Sequence, residues 1–184
     1  MRRTEPEGVT SAHLRRPSSR FRASFVEAVT EFRAEGLTDR TRSDQELEAY
    51  GDWASPAGFA AYVDEITDAA LDEARLPPGR VASTRLWWTR GEEFLGRVDV
   101  RHRLTPVLVE VGGHIGYAVR PGARRQGHAS AMLTEALVVA RALGLERVLL
   151  TCDDDNVASR RVIEAGGGEL EDQRGTKLRF WITT

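Results

Sequence analysis

Across 184 residues, 26 Lys and Arg stand against 28 Asp and Glu; the net charge of −2 offers no global reason to look for nucleic acid. The apolar share of 41% and charged share of 29% are those of soluble globular proteins, and the length suits one domain with a full core. The single cysteine, Cys152, excludes an internal disulfide and fits a reducing cytoplasm, and no apolar run is long enough to cross a membrane.

Residues 1–22 are Arg-rich with no apolar segment behind them, which is not a secretory signal. Residues 1–18 read as a flexible leader and 19–184 as a single domain. Phe21, Phe25, Val26, Val29 and Phe32 recur at helical spacing and predict a helix over 19–35, with Gly36 as its stop. A polar stretch, 37–54, reads as loop. Ser55-Pro56 is an N-cap followed by proline, and Phe59, Tyr62, Val63, Ile66 and Ala70 continue a second helical stripe, ended by Leu76-Pro77-Pro78-Gly79.

The pattern then changes. Residues 83–90 and 93–101 are strand-like around an Arg90-Gly91-Glu92 turn, and 114–119 is a further strand stopped by Pro121-Gly122. A helix follows over 127–143 with Ala129, Met132, Leu133, Ala136, Leu137 and Ala140 on one face, then a buried strand around Val148-Leu149-Leu150. A helix over 156–165 ends at Gly166-Gly167-Gly168, and 177–183 closes the chain as a strand. The crossover 114–152 implies a parallel pair and the earlier hairpin an antiparallel one. The expected fold class is α/β in the α+β sense, a mixed sheet flanked by helices.

One segment carries chemistry. Between the strand ending at Val119 and the next helix lies Arg120-Pro121-Gly122-Ala123-Arg124-Arg125-Gln126-Gly127-His128-Ala129. The first amides of a helix have no internal partners and meet the positive end of its dipole, so a basic, glycine-containing turn that opens a helix is an anion site. Gly127 and the small Ala129 allow close approach, and Arg124 and Arg125 add charge.

The run Arg124-x-x-Gly127-x-Ala129 resembles the coenzyme A pyrophosphate motif of the GNAT N-acetyltransferase superfamily. Val119-Arg120-Pro121 before it, and Asn156, Ser159 and Gly166-Gly167 after it, are similar to the family's surroundings, specifically over 83–183 and weakly over the first 80 residues. His114-Ile115-Gly116-Tyr117 and Thr151-Cys152-Asp153 resemble a bacterial branch of predicted acetyltransferases. The resemblance implies a mostly antiparallel sheet in which two parallel strands, 114–119 and 147–152, splay apart around acetyl-CoA as cosubstrate, with no metal. Backbone groups of Tyr117, Ala118 and Val119 would hold the pantetheine arm. Amides of Arg125, Gln126, Gly127, His128 and Ala129, with the charge of Arg124, would hold the pyrophosphate, and Asn156 and Ser159 would approach from the other side. The acceptor amine would attack the thioester directly.

Three residues are candidates for taking the acceptor proton: His114, at the start of the strand, Glu110, acting through a water, and His102. Many family members place a tyrosine seven residues after the asparagine to protonate the leaving thiolate; here that position is Ile163. Ser159 and Tyr117 are the polar alternatives, and a thiolate leaving without a protein acid is the third. Asp153-Asp154-Asp155 reads as a capping loop rather than a metal site, Cys152 as a small buried strand residue, and Trp87, Trp88 and Trp181 mostly as core. The leading expectation is an N-acetyltransferase in the cytoplasm acting on a primary amine of a small molecule, amino acid, peptide or protein. It has no nucleic acid or membrane partner, and a homodimer is left open. The other is a non-catalytic acyl-CoA-binding module; a plain nucleotide-phosphate binder lacks its Gly-x-x-x-x-Gly-Lys-Ser/Thr motif.

Overall fold

The computed structural model describes residues 11–35, 53, 55–68, 73, 76 and 78–184. In chain order it has β1 (His13–Arg15), a 3-10 turn (Ser19–Phe21), α1 (Arg22–Ala34), α2 (Pro56–Asp68), β2 (Ser83–Arg90), β3 (Glu93–Arg101) and α3 (Pro106–Glu110). It continues with β4 (Ile115–Val119), a 3-10 turn (Pro121–Ala123), α4 (His128–Ala142), β5 (Arg147–Asp153), α5 (Val157–Ala165), β6 (Glu169–Arg174) and β7 (Lys177–Thr183).

The strands form two sheets, β1-β2-β3-β4 and β5-β7-β6, and every ladder within them is antiparallel. One expectation needs correction. Residues 13–15, read as part of a leader, pair with residues 87–89 of β2. They are held there by Glu135 of α4, which accepts from the Leu14 amide at 2.9 Å and meets His13 Nδ1 at 3.1 Å. Three residues are too few for a periodic signal, so only the long-range tie reveals the strand. The short helix α3 was also missed; Thr105 caps it, its Oγ1 accepting from the Leu108 amide at 3.2 Å, with Pro106 in the first turn. The segments 1–10, Gly36, most of 37–54, and Ala70 and Pro77 lie outside the described residues.

Successive strand residues point to opposite faces, and the β2–β3 hairpin uses both for core. Trp88, Val98 and Val100 join Met132, Leu133 and Ala136 of α4 and Leu150 and Phe180 of the second sheet in one cluster. Trp87 and Phe94 face α1 and α2, where Phe21, Phe25, Phe59 and Tyr62 build an aromatic cluster. Phe25 stacks on Trp87 with centroids 5.1 Å apart and planes 25° apart. Both tryptophans are thus committed to packing, as expected. Trp181 lies beneath the Arg147 guanidinium, 5.1 Å from the ring centroid.

Candidate functional site

The site begins where the two sheets meet. The His114 amide donates to Leu149 O at 2.7 Å, and the Leu149 amide donates to His114 Nδ1 at 2.9 Å. Gly113 makes this approach attainable: its φ is +60°, and a Cβ placed on it would lie 2.2 Å from Leu149 O. The Gly112 amide donates to Thr151 Oγ1 at 2.8 Å, and Arg101 clamps the carbonyls of Gly112 and Gly113 at 3.1 and 3.0 Å. Beyond this junction β4 and β5 share no ladder.

A cleft of about 350 Å³ opens between them. Ile115, Gly116, Tyr117 and Ala118 form one wall, and Leu150, Thr151, Cys152 and Asp153 the other. Asn156, Ser159 and Ile163 contribute from α5. Asn156 caps that helix, its Oδ1 accepting from the Ser159 amide at 3.0 Å. The Tyr117 hydroxyl is hydrogen-bonded to Ser159 Oγ at 3.0 Å, and burial pushes its pKa up to about 12. Cys152 is buried in the wall, and burial also raises its thiol pKa, which keeps it protonated.

From Val119 the chain turns through Pro121–Ala123 into residues 124–127. Gly127 caps α4 at φ +82°, ψ −2°, without a side-chain hydrogen bond to the first turn, and a Cβ there would meet nothing within 4 Å. Arg125 also has a positive φ, 61°. The helix N-terminus therefore presents its amides over an uncluttered glycine. Sequence reasoning grouped the two arginines, but the structure separates them. Arg124 folds back onto the Val119 carbonyl at 3.1 Å and onto Glu35 of α1 at 2.9 Å, whereas Arg125 is exposed. His128 turns inward, its Nδ1 accepting from Trp88 Nε1 at 3.1 Å, so only its backbone faces the turn.

A support absent from the sequence reading holds this turn from below. Arg120 donates to Glu31 Oε1 of α1 at 2.8 Å, and the Gly122 amide donates to Glu31 Oε2 at 2.9 Å. The Arg120 hydrogen bond keeps the Glu31 carboxyl below its ordinary pKa, against the effect of burial.

The three residues considered for proton removal do not meet in the cleft. His114 is 7% exposed, and its Nδ1 lone pair is occupied by the Leu149 amide. His102 bonds Thr84 Oγ1 through Nε2 at 2.9 Å, and Glu110 is exposed and paired with Arg174. None of the three belongs to the cleft lining, whose carboxylates among the described residues are Asp99 and Asp153. Asp153 is paired with Lys177 at 2.6 Å. Asp99, on β3 opposite Gly116, is bonded by Arg85 Nε at 2.6 Å. Burial pushes the Asp99 carboxyl up, but Arg85, Arg97 and Arg101 together pull it below its ordinary value, so it is ionised near neutral pH. The sequence did carry a signal for this row: Arg97-x-Asp99-x-Arg101 puts three charges on one face of a strand whose other face is Val98 and Val100.

His114 has a consequence for stability. Burial, then Arg101, lower its pKa from 6.5. Its neutral form therefore supports the fold fully above about pH 6.5, and that support is lost as pH falls from there toward the lower folded value. His114→Ala is expected to cost about 1–3 kcal/mol near pH 7, because the Leu149 amide loses its acceptor, and to flatten the stability curve just below about pH 6.5. Denaturant titrations from neutral pH downward check this; an unchanged slope would assign the pH dependence elsewhere.

The chain matches the family described as the acetyltransferase (GNAT) domain over residues 25–169. It belongs to that family, and its antiparallel sheets flanked by helices are consistent with that fold. A search of curated proteins finds no match. Among solved structures, the chain is similar to RimL, a ribosomal alpha-N-protein acetyltransferase in complex with coenzyme A. Identity is 18% over 97% of this chain and 96% of that one, with a TM-score of 0.65. It is similar to ribosomal-protein-S5-alanine acetyltransferase from Vibrio fischeri, at 14% identity, 94% and 92% coverage and a TM-score of 0.66. It is also similar to the microcin self-immunity acetyltransferase MccE in complex with acetyl-CoA and AMP, at 11% identity, 94% and 92% coverage and a TM-score of 0.65. At these identities the likeness concerns the fold. Among the described residues no helix is long and apolar enough to cross a membrane, and no group of three or more His, Cys, Asp or Glu is placed to hold a metal ion.

Proposed function

We propose that this protein is an acyl-CoA-dependent N-acyltransferase that transfers acetyl from acetyl-CoA to a primary amine. The observation that carries the reading is that β4, one wall of the cleft, runs on through the Pro121–Ala123 turn to the glycine that caps α4. A gap between strands suits an extended, largely neutral arm, and a helix N-terminus over a bare glycine suits a pyrophosphate. The residues present fit the cosubstrate. Backbone of Tyr117, Ala118 and Val119 offers strand-like hydrogen bonds to the arm. The amides of Arg125, Gln126, Gly127, His128 and Ala129 face the phosphates, with Arg125 as the exposed guanidinium and Arg124 as a brace. Asn156 and Ser159 border the arm from α5. The complexes of RimL with coenzyme A and of MccE with acetyl-CoA support the same reading.

The chemistry is direct transfer. The amine nitrogen attacks the thioester carbonyl carbon, the carbon–sulfur bond breaks, the acyl group passes to nitrogen, and the sulfur leaves as thiolate while the nitrogen gives up a proton. The protein's contribution is chiefly positioning. Of the residues considered for proton removal, His114 is better read as the staple of the strand junction, because its lone pair is in use. Among the described residues of the lining, Asp99 is the carboxylate that lies opposite β4 in register and has no lysine partner.

The leaving thiolate faces a hydrogen-bonded pair rather than one acid. Tyr117, with its pKa near 12, can donate a hydrogen bond to sulfur but gives up its proton uphill, since a free thiol titrates near 8.5. Ser159 is a weaker acid still, and Ile163 has no proton to give. Release of CoA thiol from acetyl-CoA across a panel of primary amines tests the function and separates catalysis from coenzyme binding alone. In that assay Tyr117→Phe and Ser159→Ala are each expected to stay within about tenfold of the unaltered chain, below the usual 10²–10⁴ of a general acid. Loss of turnover in either one, with CoA affinity intact, would make that hydroxyl the acid.

A further inference from the structure

Of the 26 basic residues in the chain, 25 are arginines and one is a lysine, Lys177. The difference is chemical. A guanidinium stays protonated, whereas a lysine amine can lose its proton and attack a carbonyl carbon. The single side-chain amine of this sequence lines the cleft described above, together with Gly116, Tyr117, Cys152, Asn156 and Ser159.

Strand alternation fixes the side from which it enters. In β7, Leu178, Phe180 and Ile182 join the core cluster, so Lys177 takes the opposite face. It is the register partner of Asp153 in β5, a strand whose Leu150 and Cys152 are in that same core cluster. Thr151 shares the face of Asp153, and its Oγ1 accepts from the Gly112 amide, so this is the side of the β4–β5 junction and of α3. On β4, Ile115 is a core residue and Gly116 faces away from the core, where a Cβ would lie 3.6 Å from the Arg101 guanidinium. Lys177 and Gly116 therefore address the cleft from the same side, across the gap between β4 and β5.

The amine is held in place without being sealed off. Its side chain is 26% exposed, and Nζ meets Asp153 Oδ1 at 2.6 Å. Its charge also reaches the wall beside the acyl arm. Burial raises the pKa of the Cys152 thiol, and Lys177 is among the charges that pull it back.

Resting on the acyl-CoA reading, we propose that Lys177 is a self-acylation site: with no acceptor amine in the cleft, the chain transfers the acyl group of its own bound acyl-CoA to Lys177 Nζ. The ammonium first gives a proton to water. The neutral nitrogen attacks the thioester carbon, the carbon–sulfur bond breaks, and coenzyme A leaves as thiolate. The nitrogen then releases a second proton, which solvent or the thiolate takes up. The product is a stable amide, so the group is not passed on. The amide is also neutral, and it leaves Asp153 without its ammonium partner. An acceptor amine competes for the same carbonyl and is expected to slow the modification.

The test is intact-mass spectrometry of the full chain incubated with acetyl-CoA and no added amine. A gain of one acetyl group is expected, which peptide mapping places on Lys177 and not on the N-terminal amine. Lys177→Arg keeps a cation beside Asp153. It is expected to abolish that gain while CoA affinity by calorimetry and the circular dichroism spectrum stay unchanged. Kinetics separate transfer within the cleft from spontaneous chemistry. Transfer within the cleft saturates with acetyl-CoA, is blocked by excess CoA, and has a rate constant independent of protein concentration. An unmodified Lys177 in a chain that binds CoA would overturn the proposal and leave the acyl-CoA reading intact. So would acetylation that rises linearly with acetyl-CoA, persists under excess CoA, or speeds up with protein concentration. Failure of the unaltered protein to bind CoA at all would instead remove the reading on which it rests.

Discussion

Gly113→Val is expected to cause the largest loss of stability of any single change at the site. A side chain at φ +60° carries about 1–3 kcal/mol of backbone strain. A Cβ 2.2 Å from Leu149 O cannot be relieved by rotating a flexible side chain, because the obstacle is backbone of a buried strand. Forcing extra atoms into a packed position adds about 1–3 kcal/mol. Together these correspond to a fall in Tm of roughly 5–20 °C for a chain of this size. Gly113→Ala, the milder form, separates two effects: it is expected to fold with reduced Tm and to bind CoA more weakly, since the junction sets where β4 and β5 begin to part. A Gly113→Val protein with an unaltered Tm would mean that the two strands do not touch there.

Gly127→Glu is expected to weaken CoA binding by at least about 100-fold, equivalent to roughly 2.7 kcal/mol. Its position differs from that of Gly113 in one decisive respect. A Cβ there meets nothing within 4 Å, so the variant folds, at the cost only of the strain at φ +82°. The loss therefore belongs to the ligand: a carboxylate placed over the helix N-terminus takes the space of the pyrophosphate and repels it. Gly127→Asn, which tolerates the left-handed conformation and adds no charge, is expected to lose far less. Calorimetry with CoA, beside a circular dichroism check of folding, gives the answer; unchanged affinity in the Glu variant would place the phosphate site elsewhere.

The turn around Gly127 was legible from sequence because its requirement is local. A strand ending at Val119, a proline, a basic run, a glycine and an amphipathic helix lie within a few dozen consecutive residues, and their order alone puts helix amides beside a bare backbone. Periodicity likewise placed β2, β3 and β7 with the bounds observed, and α4 and α5 within a residue at each end. The GNAT family assignment rests on that same stretch and is shown by the family match.

The direction of individual side chains was not legible. His114 looked suited to proton transfer because it opens the strand leading to the coenzyme, yet its ring faces the Leu149 amide 35 residues away. Arg124 and Arg125 are neighbours in sequence, but Glu35 of α1 draws the first back and leaves the second exposed. Glu31 braces the turn from 91 residues away, and Glu135 ties down β1 from 121. Each of these depends on a partner brought close only by tertiary packing, and no spacing rule along the chain encodes it.

Asp99 lies between these cases. Its alternation with Arg97 and Arg101 is written in the sequence, but alternation says only that three charges share a face. Whether that face meets solvent or a substrate cleft depends on what the neighbouring sheet leaves uncovered. By itself the sequence determined most of the elements, the glycine turn that opens α4 and the family, because each follows from neighbours along the chain. Only the tertiary structure decided the cleft and the side chains that enter it, because these arise where β4 and β5, brought together by the crossover through α4, touch at Gly113 and then part.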